Sequence, residues 1–268
     1  MIDTHAHIDD PQYQEELEAY IRQQQAEGVE RIVVPGISAA SIEPVRALCR
    51  AYPDYLVPGI GLHPEEVKDD WREQLDMLYG ELCAQADFYK AIGEIGLDYY
   101  WDKTYKTEQQ EVLRTQLKWA AERDLPVMIH NREATEDTLR ILNDAQSGEL
   151  KIKNEELKMY PLRGVFHCFS GSKETARQVL DMGFYLGIGG VLTFKNSKLK
   201  ETLMSVPLES LVLETDSPYM APVPYRGQRN ESRYMAEVVK MLAEVYKVSP
   251  EEVNTVTTRN AKALFRLK

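Results

Sequence analysis

The stretch Ile2-Asp3-Thr4-His5-Ala6-His7-Ile8 sets two imidazoles at i and i+2. On an extended strand that spacing sends both rings out of one face. Two ring nitrogens presented together can hold a divalent ion. The same pair can also be two polar side chains on a half-buried edge, so the rest of the chain must decide. His63, Glu94, His130, His167 and Asp216 each follow or close a short apolar run, and with His5 and His7 they account for all five histidines of the chain. Imidazoles and carboxylates converging from several strand ends form a metal-site constellation rather than a set of unrelated core histidines. The mixed donor set suits Zn²⁺, Mn²⁺ or a similar borderline cation, whereas hard Mg²⁺ uses such a set less readily. His5, His7, Glu94, His130, His167 and Asp216 exceed the three protein ligands of a typical single catalytic zinc, so two ions fit better than one. A carboxylate such as Glu94 can bridge ions about 3.5–4 Å apart. An ion pair of that kind makes hydroxide available near neutral pH, and the reaction implied is hydrolysis.

These residues need elements that bring strand ends together. Apolar runs at Arg31–Gly36, Tyr55–Pro64, Tyr89–Glu94, Leu125–His130, Gly164–Phe169, Phe184–Ile188 and Ser210–Asp216 follow the opening strand. Continuous apolar runs of that length read as buried parallel strands. Between them the patterning predicts helices over Gln12–Gln25, Ser41–Ala51, Glu73–Ala84, Thr107–Arg123, Ala134–Ala145, from Lys173, and Ser197–Met204, with Ser232–Tyr246 and Pro250–Leu267 closing the chain. Eight such units predict an α/β fold, a (β/α)8 TIM barrel, although an open doubly wound sheet shows the same alternation. The barrel is favoured because the candidate residues sit at carboxyl ends of strands, where barrel active sites assemble. The Lys- and Glu-rich stretch from Ser147 to Pro161 is expected to be a surface excursion without chemistry.

Length and composition agree with one domain over residues 1–268: barrels of this class routinely use about 250 residues. With 43% hydrophobic and 28% charged residues, the chain can bury a sizeable core. A net charge of −11 argues against a broad basic surface tracking nucleic acid, while leaving room for a local cationic patch. Cys49, Cys83 and Cys168 are odd in number, far apart and without a CxxC pair, which suits a reducing compartment. No charged-then-apolar leader and no apolar run of about 20 residues is present, so a cytoplasmic protein without a membrane partner is expected.

Taken together, the motifs Ile2-Asp3-Thr4-His5-Ala6-His7, Gly61-Leu62-His63-Pro64, Gly93-Glu94-Ile95-Gly96-Leu97-Asp98, His130, His167-Cys168-Phe169-Ser170-Gly171, Glu214-Thr215-Asp216-Ser217-Pro218 and Tyr225-Arg226-Gly227-Gln228-Arg229-Asn230 resemble, in order and over nearly the whole chain, the TatD family of metal-dependent deoxyribonucleases. The resemblance implies a TIM barrel of the amidohydrolase superfamily, acting as a monomer, with two divalent ions (zinc, manganese or magnesium). It implies cleavage of DNA phosphodiesters as a 3′ to 5′ exonuclease, on single strands or 3′ ends. It places one ion on His5, His7, Glu94 and Asp216 and the other on Glu94, His130 and His167, with Glu94 as the bridge. Asp216 is then both ligand and proton acceptor from the attacking water. His63 corresponds to a histidine near the substrate and is assigned phosphate contact or transition-state stabilisation, with an outer structural role as the alternative.

After the last strand, a Gly-containing turn can aim Arg226 at a phosphate through its planar fork, the alternative being a solvated loop. Tyr99, Tyr100 and Trp101 can stack on a base or simply cap the barrel. Cys168 reads as a small neighbour of His167 rather than a nucleophile. Two departures from the family pattern bear on substrate preference rather than on the metal centre: Ser232, where many relatives carry proline, and the length of the 147–161 excursion. A small-molecule amidohydrolase using the same centre is the second reading. The acidic charge suits it, but no strand-end lysine is available to be a carbamylated bridge, and Glu94 stands there instead.

Overall fold

The computed structural model describes residues 1–147 and 160–268. The eight strands are hydrogen-bonded in chain order, β1 (Ile2–Asp3), β2 (Arg31–Val34), β3 (Leu56–Ile60), β4 (Ala91–Asp98), β5 (Val127–Arg132), β6 (Gly164–Phe166), β7 (Tyr185–Ile188) and β8 (Leu211–Leu213). Each connection carries a helix, from α1 (Leu17–Ala26) between β1 and β2 to α7 (Leu199–Leu203) between β7 and β8. This is the connectivity of a (β/α)8 TIM barrel, as the sequence pattern predicts. Of the 147–161 excursion, residues 148–159 lie outside the described residues.

Contacts divide the chain into two compact units made of interleaved stretches rather than successive halves. The first comprises Met1–Val34, Leu48–Val57 and His167–Lys268, the second Pro35–Ala47 and Pro58–Phe166. Both β3 and α2 (Ile42–Ala51) run from one unit into the other along the chain.

In the first unit β1 pairs in parallel with β2, Ile2 opposite Arg31 and Asp3 opposite Ile32. Beyond β1 the chain keeps its place by donating Thr4 N to Leu213 O at 3.0 Å and Ala6 N to Val33 O at 3.0 Å. The segment holding both histidines is thus threaded between the ends of β2 and β8. The single helix expected over Gln12–Gln25 is instead a 3₁₀ segment, Pro11–Glu16, followed by α1. Pro11 sits at its start, and Asp10 caps it by accepting from Gln12 N. At the other end of the chain, α9 (Pro250–Phe265) starts on Ser249, which accepts from Glu252 N at 3.1 Å. Its buried Asn260 donates to Leu211 O at 2.8 Å, fixing the helix on β8.

In the second unit β4 pairs with β5 and β5 with β6, all parallel. β4 is buried over all eight residues although it contains Glu94 and Asp98. Buried carboxylates in a strand are costly unless partners meet them, so this strand is where the sequence sacrifices core for chemistry. The long helix α4 (Lys106–Arg123) packs beside it. Its inward face carries two glutamines seven residues apart, and both bind backbone. Gln116 accepts from Leu62 N at 2.7 Å and donates to Leu62 O at 3.1 Å, while Gln109 accepts from Asp98 N at 3.1 Å. These bonds seat the residue before His63 and the end of β4.

Replacing Gln116 by Leu would leave a buried N–H and C=O of Leu62 without partners. A loss of about 2–4 kcal/mol in unfolding free energy is expected from two such groups, measured by urea denaturation; an unchanged midpoint would mean Gln116 does not hold this segment.

Candidate metal centre

In the first unit, His5 and His7 leave β1 on one face, and Asp216 meets them because the chain after β8 is bonded to the same segment. Asp216 N donates to His5 O at 2.9 Å, and His7 N to Ser217 O at 2.8 Å. Asp3 reinforces this tie from beneath: one oxygen accepts from His5 N at 3.2 Å and Thr215 N at 3.0 Å, and the other from the Thr215 hydroxyl at 2.6 Å. Complete burial pushes the Asp3 carboxyl up to about 7, against the bond donated by Thr215.

The ring nitrogens that result face one another. His5 Nε2 lies 3.3 Å from His7 Nε2. Asp216 Oδ1 lies 4.0, 3.7 and 3.6 Å from the Nε2 atoms of His5, His7 and His167. His167 stacks on His5 with ring centroids 3.6 Å apart. Ligand atoms on a tetrahedral ion with bonds of ~2.0–2.1 Å stand about 3.3 Å apart, so the His5–His7 separation already matches one edge of such a shell.

His167 carries a further mark of a ligand. Its Nε2 faces Asp216 while its Nδ1 lies 3.2 Å from Glu214 Oε1. A carboxylate on the far nitrogen fixes the tautomer and aim of a metal-binding imidazole. Glu214 is 1% exposed and also accepts from Cys168 N at 2.5 Å. Its other oxygen is buried with no hydrogen-bond partner. Gly187 makes room for it, since a Cβ there would come within 2.1 Å of that oxygen. Cys168 and Asp216 both have left-handed backbone, at φ 48° and 57°, a conformation that costs non-glycine residues and gathers at functional sites.

The second unit holds an analogous arrangement. His130 Nδ1 lies 2.9 Å from Glu94 Oε1, and its Nε2 lies 2.9 Å from Asp98 Oδ2. His63 Nε2 is 3.4 Å from the same Glu94 oxygen, and the His63 ring meets that of His130 edge-on at 4.5 Å. Asp98 also accepts from Tyr100 N at 2.8 Å and Trp101 N at 3.3 Å. Burial alone would raise its carboxyl, but the bonds from His130 and from these backbone N–H groups hold it below the usual range. Gly96 lets β4 approach: its φ is +153°, and a Cβ would fall 1.9 Å from His130 O. The donor types and their spacing in both clusters fit a divalent metal. The groups His5, His7, Asp216 and His63, Glu65, His130 each bring ligand atoms within 4.8 Å of one another.

Each predicted ligand, and His63, is therefore in one of two clusters, while Arg226 is in neither. His167 sits with His5, His7 and Asp216, while His63 sits with Glu94 and His130. Arg226 is exposed and lies over the Phe194 ring, 3.9 Å from its centroid. Sequence reasoning missed Asp98 and Glu214 as orienting carboxylates. The signal was present in the even spacing, four residues after Glu94 and two before Asp216, which in extended chain returns a side chain to the same face. It also missed Asp3, Gln109 and Gln116, which contact backbone and have no pattern of their own. At Ser232 the structure supplies a reason for the departure from proline: its N–H and hydroxyl both lie 3.3 Å from Tyr20 OH. The three cysteines are free.

A hydrolase that works through a divalent metal is the class these observations define, and the comparisons agree. The family model described as TatD related DNase matches residues 2–266. The chain is 42% identical to the uncharacterized metal-dependent hydrolase YabD of Bacillus subtilis, covering 100% of this chain and 99% of the relative. It is 35% identical to the uncharacterized metal-dependent hydrolase YcfH of Escherichia coli, over 100% and 96%. The crystal structure of YJJV, a TatD homolog from Escherichia coli, superimposes with a TM-score of 0.88 at 32% identity, covering 100% and 98% of the two chains. The chain belongs to the TatD family and is a metal-dependent hydrolase. Among the described residues no helix is long and apolar enough to cross a membrane.

Asp98→Asn keeps an acceptor for Tyr100 N but turns an amide donor toward His130. Affinity for Zn²⁺ or Mn²⁺, measured by calorimetric titration, is expected to fall about 10- to 100-fold, the usual effect of losing an orienting partner. Unchanged affinity would remove His130 from the ligand set.

Proposed function

We propose that this hydrolase cleaves phosphodiester bonds of DNA, working from the 3′ end of a single strand, with two divalent ions. Three imidazole nitrogens gathered around one Asp216 oxygen, backed by an orienting carboxylate on His167, carry the reading of a hydrolytic centre. The description of the matching family supports DNA as the substrate. When bound, the ions supply Lewis acidity toward a phosphoryl oxygen and lower the pKa of water.

His5, His7, Glu94, His130, His167 and Asp216 would hold the ions, and Glu94 would be the shared ligand that the sequence resemblance implies. Asp216 takes the proton of the attacking water. Its side chain is 19% exposed while those of His5 and His167 are 0% and 4%, so it is more open to solvent and substrate than they are. His63, anchored through Nδ1 by Glu65 N at 3.2 Å, presents Nε2 toward Glu94 and is suited to contact a phosphate oxygen. Arg226 remains the candidate phosphate ligand from the loop after β8, lying over the Phe194 ring with no ion pair on its guanidinium among the described residues.

Metal-loaded protein offered 5′-end-labelled single-stranded DNA is expected to give a ladder shortening from the 3′ end. Asp216→Asn should lower turnover by about 10²- to 10⁴-fold, the range for losing a general base, and Glu94→Gln should lower the number of bound ions counted by metal analysis. Hydrolysis of an amide panel with no DNA laddering would overturn the nuclease reading in favour of a small-molecule amidohydrolase. Two ions retained in Glu94→Gln would overturn the shared-ligand assignment.

A further inference from the structure

Among exposed large apolar side chains, Tyr100 and Trp101 stand out because they are adjacent to the second cluster and share a cation. They are 48% and 65% exposed, and their rings meet edge-on at 4.7 Å. The Arg132 guanidinium lies over both, 3.9 Å from the Tyr100 ring centroid and 5.1 Å from that of Trp101. Arg132 is exposed and, among the described residues, its guanidinium has no ion pair or hydrogen bond, the backbone carbonyl alone accepting from Tyr99 N at 3.0 Å. With no carboxylate on it, the guanidinium keeps its charge available to an anion in a chain of net charge −11. Its fork is suited to a phosphate, and its stacking on two rings keeps it extended.

The platform is also fixed relative to the cluster. Asp98 accepts from the backbone of both aromatic residues and holds His130 Nε2. Arg132 is two residues beyond His130 on β5 and opposite Asp98 in the sheet register. Trp101 further forms one wall of a pocket of about 80 Å³ that Asp98 and Glu65 also line. The Asp98 carboxylate thus ties the backbone that carries both rings to the histidine it meets.

We propose that Tyr100, Trp101 and Arg132 form a nucleotide subsite, in which a base of single-stranded nucleic acid stacks on the Trp101 face and Arg132 takes a phosphate next to the bond being cut. This rests on the phosphodiester reading above. Stacking without base-edge contacts gives little sequence preference, because every base has a π face.

The test uses metal-loaded protein and three probes: a phosphorothioate oligothymidylate that resists cleavage, an abasic-spacer oligomer of equal length, and methyl p-nitrophenyl phosphate, a diester without a nucleobase. Trp71 and Trp119 are only 4% and 5% exposed, so quenching of tryptophan emission by the oligomer reports on Trp101. In wild type, oligothymidylate is expected to quench, and the abasic oligomer to bind more weakly. By anisotropy of a labelled oligomer, Trp101→Ala should weaken binding roughly 5- to 100-fold, the range for one stacked base, and Trp101→Phe should recover most of it. Arg132→Ala should weaken binding and make its logarithmic salt dependence shallower by about one. Turnover of the simple diester, which offers neither a base nor a second phosphate, should fall less than oligomer binding does in each alanine variant.

Equal binding of the abasic oligomer, or wild-type affinity in both alanine variants, would overturn the subsite. So would a wild type that neither binds nor is quenched by the oligomer, even if it cleaves the simple diester. Quenching with stacking-dependent binding but no cleavage of ordinary DNA or of the diester would leave the subsite standing and sink the phosphodiester reading.

Discussion

The carboxylate of Asp3 ties the beginning of the chain to its last strand. By accepting from His5 N, Thr215 N and the Thr215 hydroxyl, it locks two segments separated by more than two hundred residues into one register. Side chains on extended backbone alternate between faces, so a one-residue slip would turn His5 and His7 away from Asp216 altogether. The placement of His5, His7 and Asp216 in the first unit is therefore a consequence of strand register, and register is enforced by hydrogen bonds to the buried Asp3.

Each unit accumulates charge where a core would otherwise be. Asp3, Glu94, Asp98 and Glu214 are all at most 3% exposed. Such groups are tolerated only with partners, because burying an unpaired carboxylate costs several kcal/mol. Here the partners are imidazoles and backbone N–H groups, and bound cations would offset the remaining cost. The small residues follow from the same crowding. Gly187 leaves space for the Glu214 carboxylate, and Gly96 lets β4 lie against the carbonyl of His130. Neither glycine is a flexible joint; each marks a place where a side chain cannot fit.

The acidic balance of the chain also shapes how a polyanion could be received. With a net charge of −11, long-range attraction does not favour DNA. Capture must come from local positive groups and from stacking, which is insensitive to net charge. The Arg132 platform and the Arg226–Phe194 pair are both of this kind: guanidinium groups held over aromatic rings rather than drawn into carboxylate pairs.

Much of this was written in residue order alone. Buried parallel strands announce themselves as apolar runs, so β2 and β5 and the alternation with helices could be read directly, as could the connectivity they imply. The metal-ligand candidates were legible because histidines and acids at strand ends are chemically conspicuous and few. The 3₁₀ turn at Pro11–Glu16 was not, since its polar sequence continues directly into α1 at Leu17 with no side-chain cap between them. Nor was the grouping of the ligands: that His167 stacks on His5 while His63 joins Glu94 and His130 depends on through-space distances that no spacing encodes. Asp3, Gln109 and Gln116 were likewise beyond reach as positioning residues, because their partners are largely backbone atoms far away in the chain, whereas Asp98 and Glu214 had left a trace in their even spacing from Glu94 and Asp216. Periodicity is a property of one strand or helix and can be seen in it; orientation is a property of pairs, and only the folded chain creates them.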